Sequence, residues 1–327
     1  MLARVSFLAR AAWPIWNAEE RRFRALVRLA IFAVLVLVVL FATSMLGSWL
    51  GGSLGARAVG FSAQVLGVIA VGAFCAWALD RRPIRDIGLS PRRGYLVDVL
   101  FGVVLGAICM GAIAGLELAL GWGAYALRHE TDDALVAAAP AFGSTLTVFV
   151  AVALIEEVVF RGYPVPNLRE MLPRAVRPDV AITIAVVISS LVFGVAHAMN
   201  PNASVIATAY IAFGGLFLVL GLVVQGDLAI PIGAHLGWNL FQNLFGMQVS
   251  GQTWLDEGAI LRRDELGPDV ATGGAFGPEA GLEGLGAMML GIVLTLAWLR
   301  VRGGPLRIHP TWVSGRVTVA TSTRKTH

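Results

Sequence analysis

Three places in a very apolar chain carry groups that can move protons. The first is Glu156-Glu157-Val158-Val159-Phe160-Arg161. Neighbouring residues on a helix point about 100° apart, so the two carboxylates cannot share one role. Glu157 and Arg161 are four apart with the acid on the N-terminal side, the favourable order for an ion pair. That pairing leaves Glu156 without a counter-charge in a low-dielectric setting, which suits a general base. The plainer alternative is a buried ion pair at a helix end reaching for the interface.

The second place is Phe193-Gly194-Val195-Ala196-His197. Phe193 and His197 share a face, and Gly194 permits close helix approach. His197 is either a ligand to water or metal, or a hydrogen-bonding contact to a neighbouring helix. The third place is His235-Leu236-Gly237-Trp238-Asn239, in which His235 and Asn239 share a face that Asn243 extends. Two such side chains together suit a developing oxyanion, or serve as polar glue between helices. Asp98 and Glu117 are further charges within spans, and their places near span ends favour structural roles.

These groups need helices in lipid to hold them. Of 327 residues, 57% are hydrophobic and 14% charged, against about a quarter charged in soluble domains. Apolar runs fall near 29–50, 58–79, 95–122, 141–165, 180–198, 204–225, 228–248 and 282–302, each read as a helix crossing ~30 Å of hydrocarbon. The expectation is therefore all-α: a polytopic transmembrane bundle of about eight spans with a polar cavity inside the membrane. An amphipathic N-terminal tail (1–28) precedes the membrane domain (29–302), and a C-terminal tail (303–327) follows it. The polar, Gly-rich connection 249–281 reads as an ordered loop or partial lid. Cys75 and Cys109 both sit in apolar spans and read as small core residues, with no cysteine zinc motif.

The basic residues form short clusters between spans, which argues against a nucleic-acid partner and for membrane orientation. With the N-terminus in the cytoplasm, 21 of the 25 Lys and Arg fall inside, and only Arg57, Arg128, Arg262 and Arg263 fall outside. Both termini are then cytoplasmic and the number of spans is even. The composition points to a prokaryotic plasma membrane. One difficulty follows: His197 falls toward the outer end of its helix, and Glu156 in the inner half of its own. For them to meet, the Glu156 helix must run on to about Arg169, or the His197 helix must begin below the membrane.

Glu156-Glu157-x-x-x-Arg161, Phe193-x-x-x-His197 and His235-x-x-x-Asn239 resemble, in order, three signature motifs of the type II CAAX prenyl protease and bacteriocin-processing (CPBP, or Abi) family of intramembrane proteases. Phe160-Arg161-Gly162 and Phe276-Gly277-Pro278-Glu279 are similar to its bacterial members. The motif-bearing core covers roughly 140–245, and the first three spans match only in hydropathy. The resemblance implies an intramembrane endopeptidase. Glu156 and His197 would activate water, His235 and Asn239 would hold the oxyanion, and Glu157, Arg161 and Phe193 would support the site. No cofactor is the preferred reading, since the chain has no His-Glu-x-x-His helix. Zinc on Glu156, His197 and His235 stays geometrically open. The partners implied are a peptide or membrane-protein substrate and the lipid bilayer. The alternative class is a non-enzymatic transporter or an immunity or scaffold protein. Against it stand the lack of an internal repeat and the intact motif residues.

Overall fold

The computed structural model describes residues 15–313 apart from 52, 91, 129–133, 174, 254–257 and 304–305. The outer parts of both expected tails, 1–14 and 314–327, lie outside the described residues. From Trp16 to Phe23 the chain makes a small hairpin, β1 (Trp16–Asn17) against β2 (Arg22–Phe23).

Twelve helices follow among the described residues. Helix α1 (Ala25–Trp49) and α2 (Leu54–Phe74, prolonged by a π-turn over Cys75–Asp80) open the bundle. Helix α3 (Tyr95–Leu120) leads into β3 (Gly123–Leu127). Helix α4 (Ala134–Glu156) continues through a π-turn (Glu157–Gly162) into α5 (Pro164–Met171). Then come α6 (Pro178–Ala196), α7 (Val205–Leu218), α8 (Leu220–Gln225) and α9 (Ala229–Leu244). The connection after α9 is ordered where described. It contributes β4 (Leu261–Glu265), which pairs antiparallel with β3, and α10 (Asp269–Thr272). Helix α11 (Leu282–Val301) and the short α12 (Pro310–Val313) close the chain.

Seven of these rods are long and apolar enough to cross a membrane. They carry large apolar side chains outward, among them Leu37, Phe41, Leu100, Val104, Leu191 and Val195, as lipid requires. The expected span at 228–248 is different. It forms the 16-residue α9, in which all but two residues, Leu236 and Phe241, are buried. At ~1.5 Å per residue it is about 24 Å long, and it is wrapped by neighbouring helices instead of facing lipid.

Its closest neighbour is α3, and the reason is the absence of side chains. Gly102 and Gly106 on α3 face Gly233 and Gly237 on α9, each pair spaced four apart. A Cβ added at Gly106 would lie 2.2 Å from the backbone of Gly237 and Trp238, and one at Gly237 would lie 2.4 Å from the Val103 carbonyl oxygen. The two backbones touch, as small-residue stripes permit in membranes.

Segments of like orientation meet at the same ends. At one end Arg22, Arg28 and Arg82 all reach the Glu170 carboxylate, and Arg28 Nη1 also lies 2.5 Å from Asp80 Oδ1. Asn167 and Tyr163 complete the Asp80 shell. Asp98 is also held there, by Arg92, Arg302 and the Trp298 indole. At the other end Arg263 and Tyr125 hold the buried Glu117. Burial opposes the charge of the Arg263 guanidinium, but its carboxylate partners raise its pKa above the ordinary arginine value. Asp98 and Glu117 are thus committed to structural ion pairs. Cys75 and Cys109 are buried free thiols.

Candidate active site

Glu156 lies midway along one continuous 33-residue rod, Ala139–Met171. The height difficulty is resolved in the first of the two ways foreseen: the helix runs on past Arg169. From Glu156 to Met171 is about 22 Å of helix, and from Pro178 up to His197 about 28 Å, which brings the two near one level.

The rod changes pitch where the chemistry sits. Pro164 has no N–H to return to the Phe160 carbonyl. That oxygen instead accepts from Ser189 Oγ on α6 at 2.5 Å, and Tyr163 N–H donates to the Val158 carbonyl at 3.1 Å, a five-residue step. The π-turn packs α6 against Glu157–Gly162, as single π-turns often do at functional sites.

His197 caps the C-terminus of α6. Its Nδ1 lies 2.8 Å from the Phe193 carbonyl oxygen, which can only accept, so Nδ1 carries a hydrogen and the neutral ring presents the Nε2 lone pair on its other side. His235 Nδ1 lies 2.9 Å from Glu157 Oε1, so with Glu157 ionised Nδ1 donates to it and Nε2 faces away from Glu157. Both Nε2 atoms face Glu156: Oε2 is 3.9 Å from that of His197 and 3.7 Å from that of His235. These gaps are too long for direct hydrogen bonds and leave Glu156 Oε2 buried without a protein partner. A polar atom in that state calls for a small third party.

Glu157 serves two partners with one oxygen. Arg161 Nη1 donates to the same Oε1 at 3.0 Å, and all three side chains are buried. The Arg161 guanidinium lies over the Phe193 ring at 4.0 Å, and that ring meets His197 edge-on at 4.7 Å. The i,i+4 pair foreseen between Glu157 and Arg161 is present. The orientation of His235 by Glu157 was not foreseen, because it crosses 78 residues of sequence.

Glu156, His197, His235 and Asn239 all line one cavity of about 370 Å³, whose other walls are mostly apolar. Gly194 sits where α6 meets α7, where a Cβ would lie 2.5 Å from the Thr208 carbonyl oxygen. Asn243 is buried behind the cavity and does not line it. Four polar residues on the wall had been given no part in the chemistry: Asn200, Ser250, Gln252 and Glu279. Of these, Glu279 had a sequence signal, an acid in the Gly- and Pro-rich stretch Phe276–Glu279. Among the described residues no group of three His, Cys, Asp or Glu has metal-holding geometry.

Residues 138–241 match the family model of the type II CAAX prenyl endopeptidase Rce1-like proteins. The chain carries an Rce1-like domain. That domain contains every motif residue, from Glu156 to Asn239, and excludes Ser250, Gln252 and Glu279. Its family implies protease activity in general, and with seven apolar rods the chain is an integral, multi-pass membrane protein. Among curated proteins and among solved structures, none matches the chain significantly.

Removing Arg161 is expected to strand the Glu157 charge in a dry interior, a cost of about 3–5 kcal/mol. Arg161→Ala should therefore lower the melting temperature in detergent as well as activity. Unchanged melting with activity lost would assign Arg161 to the chemistry itself.

Proposed function

We propose that the protein is an intramembrane endopeptidase that hydrolyses peptide bonds of membrane-associated peptides or proteins. The observation that carries this reading is the convergence of both histidine Nε2 atoms on the unpartnered Glu156 Oε2 at the wall of a buried cavity. A water seated among these three atoms gives a proton to Glu156, the general base, with His197 Nε2 fixing its direction. The oxygen attacks the scissile carbonyl, and Asn239 donates to the resulting oxyanion. His235 donates as well, from Nε2 as an imidazolium whose charge the Glu157 carboxylate matches. Glu157 and Arg161 hold His235 in place, and Phe193 braces Arg161 and His197. The apolar walls, including Phe149, Phe217 and Trp238, suit a hydrophobic peptide segment.

The test is cleavage of a quenched-fluorescent peptide library by the purified protein in detergent; a library left wholly intact argues against a peptidase. A chelator arm separates the two forms of the site. Two Nε2 atoms converging on one carboxylate oxygen, each ring anchored through Nδ1, are also what metal-bound histidines present once both rings are neutral. Activity lost to a chelator and restored by zinc would reassign Glu156, His197 and His235 as ligands.

The same reading places the protein in a prokaryotic plasma membrane with both termini cytoplasmic, and the short α9 as the eighth crossing. A C-terminal reporter fusion should score as cytoplasmic. An extracytoplasmic score would remove α9 from the count of crossings.

A further inference from the structure

Two carboxylates line the cavity among the described residues: Glu156, from the motif-bearing helix, and Glu279, from outside the Rce1-like domain. Glu279 arrives on a 3₁₀ turn, Pro278–Ala280, in the connection that returns from α9 to α11. That connection is built to deliver it. A Cβ on Gly284 would lie 1.8 Å from the Pro278 carbonyl oxygen. Gly277, at φ +107°, would put one 2.0 Å from that of Gln248. Ser250 is held at φ 48°, a conformation uncommon outside glycine and often stored at functional sites. From there both its N–H and its Oγ–H donate to Glu279 Oε2, each at 2.8 Å. The Ser250 carbonyl is in turn tied to Asn200, three residues past His197. With Oε2 committed, Oε1 is the oxygen of Glu279 left for the cavity. Burial raises the Glu279 carboxyl above the ordinary glutamate range; the Ser250 hydrogen bonds and the nearby His197 and His235 pull the other way and do not cancel it.

Peptide hydrolysis needs more than a base and an oxyanion hole. The departing nitrogen must gain a proton as its bond to carbon breaks. We propose that Glu279 is the general acid of this site, donating the proton on Oε1 to the leaving amine. The inference rests on the peptidase reading above. In the step, the oxyanion electrons re-form the carbonyl, the C–N bond breaks, and nitrogen takes the Glu279 proton. Glu156 then holds the proton taken from water; its release to solvent and the uptake of one proton by the Glu279 carboxylate restore the starting state. The two carboxylates thus divide acid and base work according to environment.

The probe is the fastest-cleaved sequence from the peptide library, made in two forms: the peptide, and the depsipeptide with an ester at the scissile bond. An ester leaving group needs far less help from an acid. Glu279→Gln is expected to lose about 10²-fold or more in kcat on the peptide, with KM little changed, and to stay within a few-fold of wild type on the depsipeptide. Glu156→Gln should fail on both. Equal losses on the two substrates, or none on the peptide, overturn the assignment. A wild-type protein that cleaves no member of the library overturns the peptidase reading, and this inference with it. Should Glu279→Gln not fold, as judged by its melting, Glu279→Asp provides the comparison: its shorter acid should slow the peptide selectively.

Discussion

Glu156→Gln is expected to reduce peptide cleavage by at least about 10²–10³-fold while leaving the fold intact, a loss no smaller than that of one oxyanion donor. The substitution keeps the shape of the side chain and removes the ability to take a proton. Folding should tolerate it, because Oε2 has no protein partner to lose. The adjacent carboxylate cannot substitute: Glu157 is enclosed and already accepts from Arg161 and His235. Cleavage rate and thermal melting measured on one detergent preparation decide the matter. A fully active Glu156→Gln protein would refute its role as the base. A variant that melts far below wild type would make Glu156 a structural group.

The second large effect lies away from the cavity, where α3 meets α9. Gly106→Ala places a methyl group 2.2 Å from the Gly237 and Trp238 backbone. Backbone cannot rotate aside as a side chain can, so the helices must part. Overpacking costs typically about 1–3 kcal/mol, and contact with backbone puts this site at or beyond the upper end. Helix α9 carries His235 and Asn239, so activity should fall with stability. Gly111 on the same helix is the control, since a Cβ there meets nothing within 4 Å. Gly111→Ala should be neutral, or stabilising by roughly 0.5–1 kcal/mol, because alanine is the better helix former. If backbone contact at α3–α9 is what matters, the melting temperature falls for Gly106→Ala and holds or rises for Gly111→Ala. Equal effects would reduce the glycine pairs to ordinary helix glycines.

Within a single helix, spacing in sequence is spacing in space. That is why the Glu157–Arg161 pair, the Phe193–His197 face and the His235–Asn239 face were all legible from residue types and intervals of four. Hydropathy likewise located the seven rods, because lipid leaves the backbone few alternatives to a helix. Seven rods are long and apolar enough to cross, and the eighth expected span is α9. Helix α9 is apolar in part and short, and what stabilises it is its enclosure by neighbours, which no local window measures. The level at which Glu156 meets His197 depended on a helix continuing through Arg161 to Met171, past two prolines. Ser189 makes that continuation possible by capping the carbonyl that Pro164 leaves open. Nor could spacing show that Glu157 holds His235, or that Glu279 returns to the cavity across 82 residues from His197. Such contacts join distant stretches of chain, and their geometry comes from helix packing and from glycines that let backbones touch.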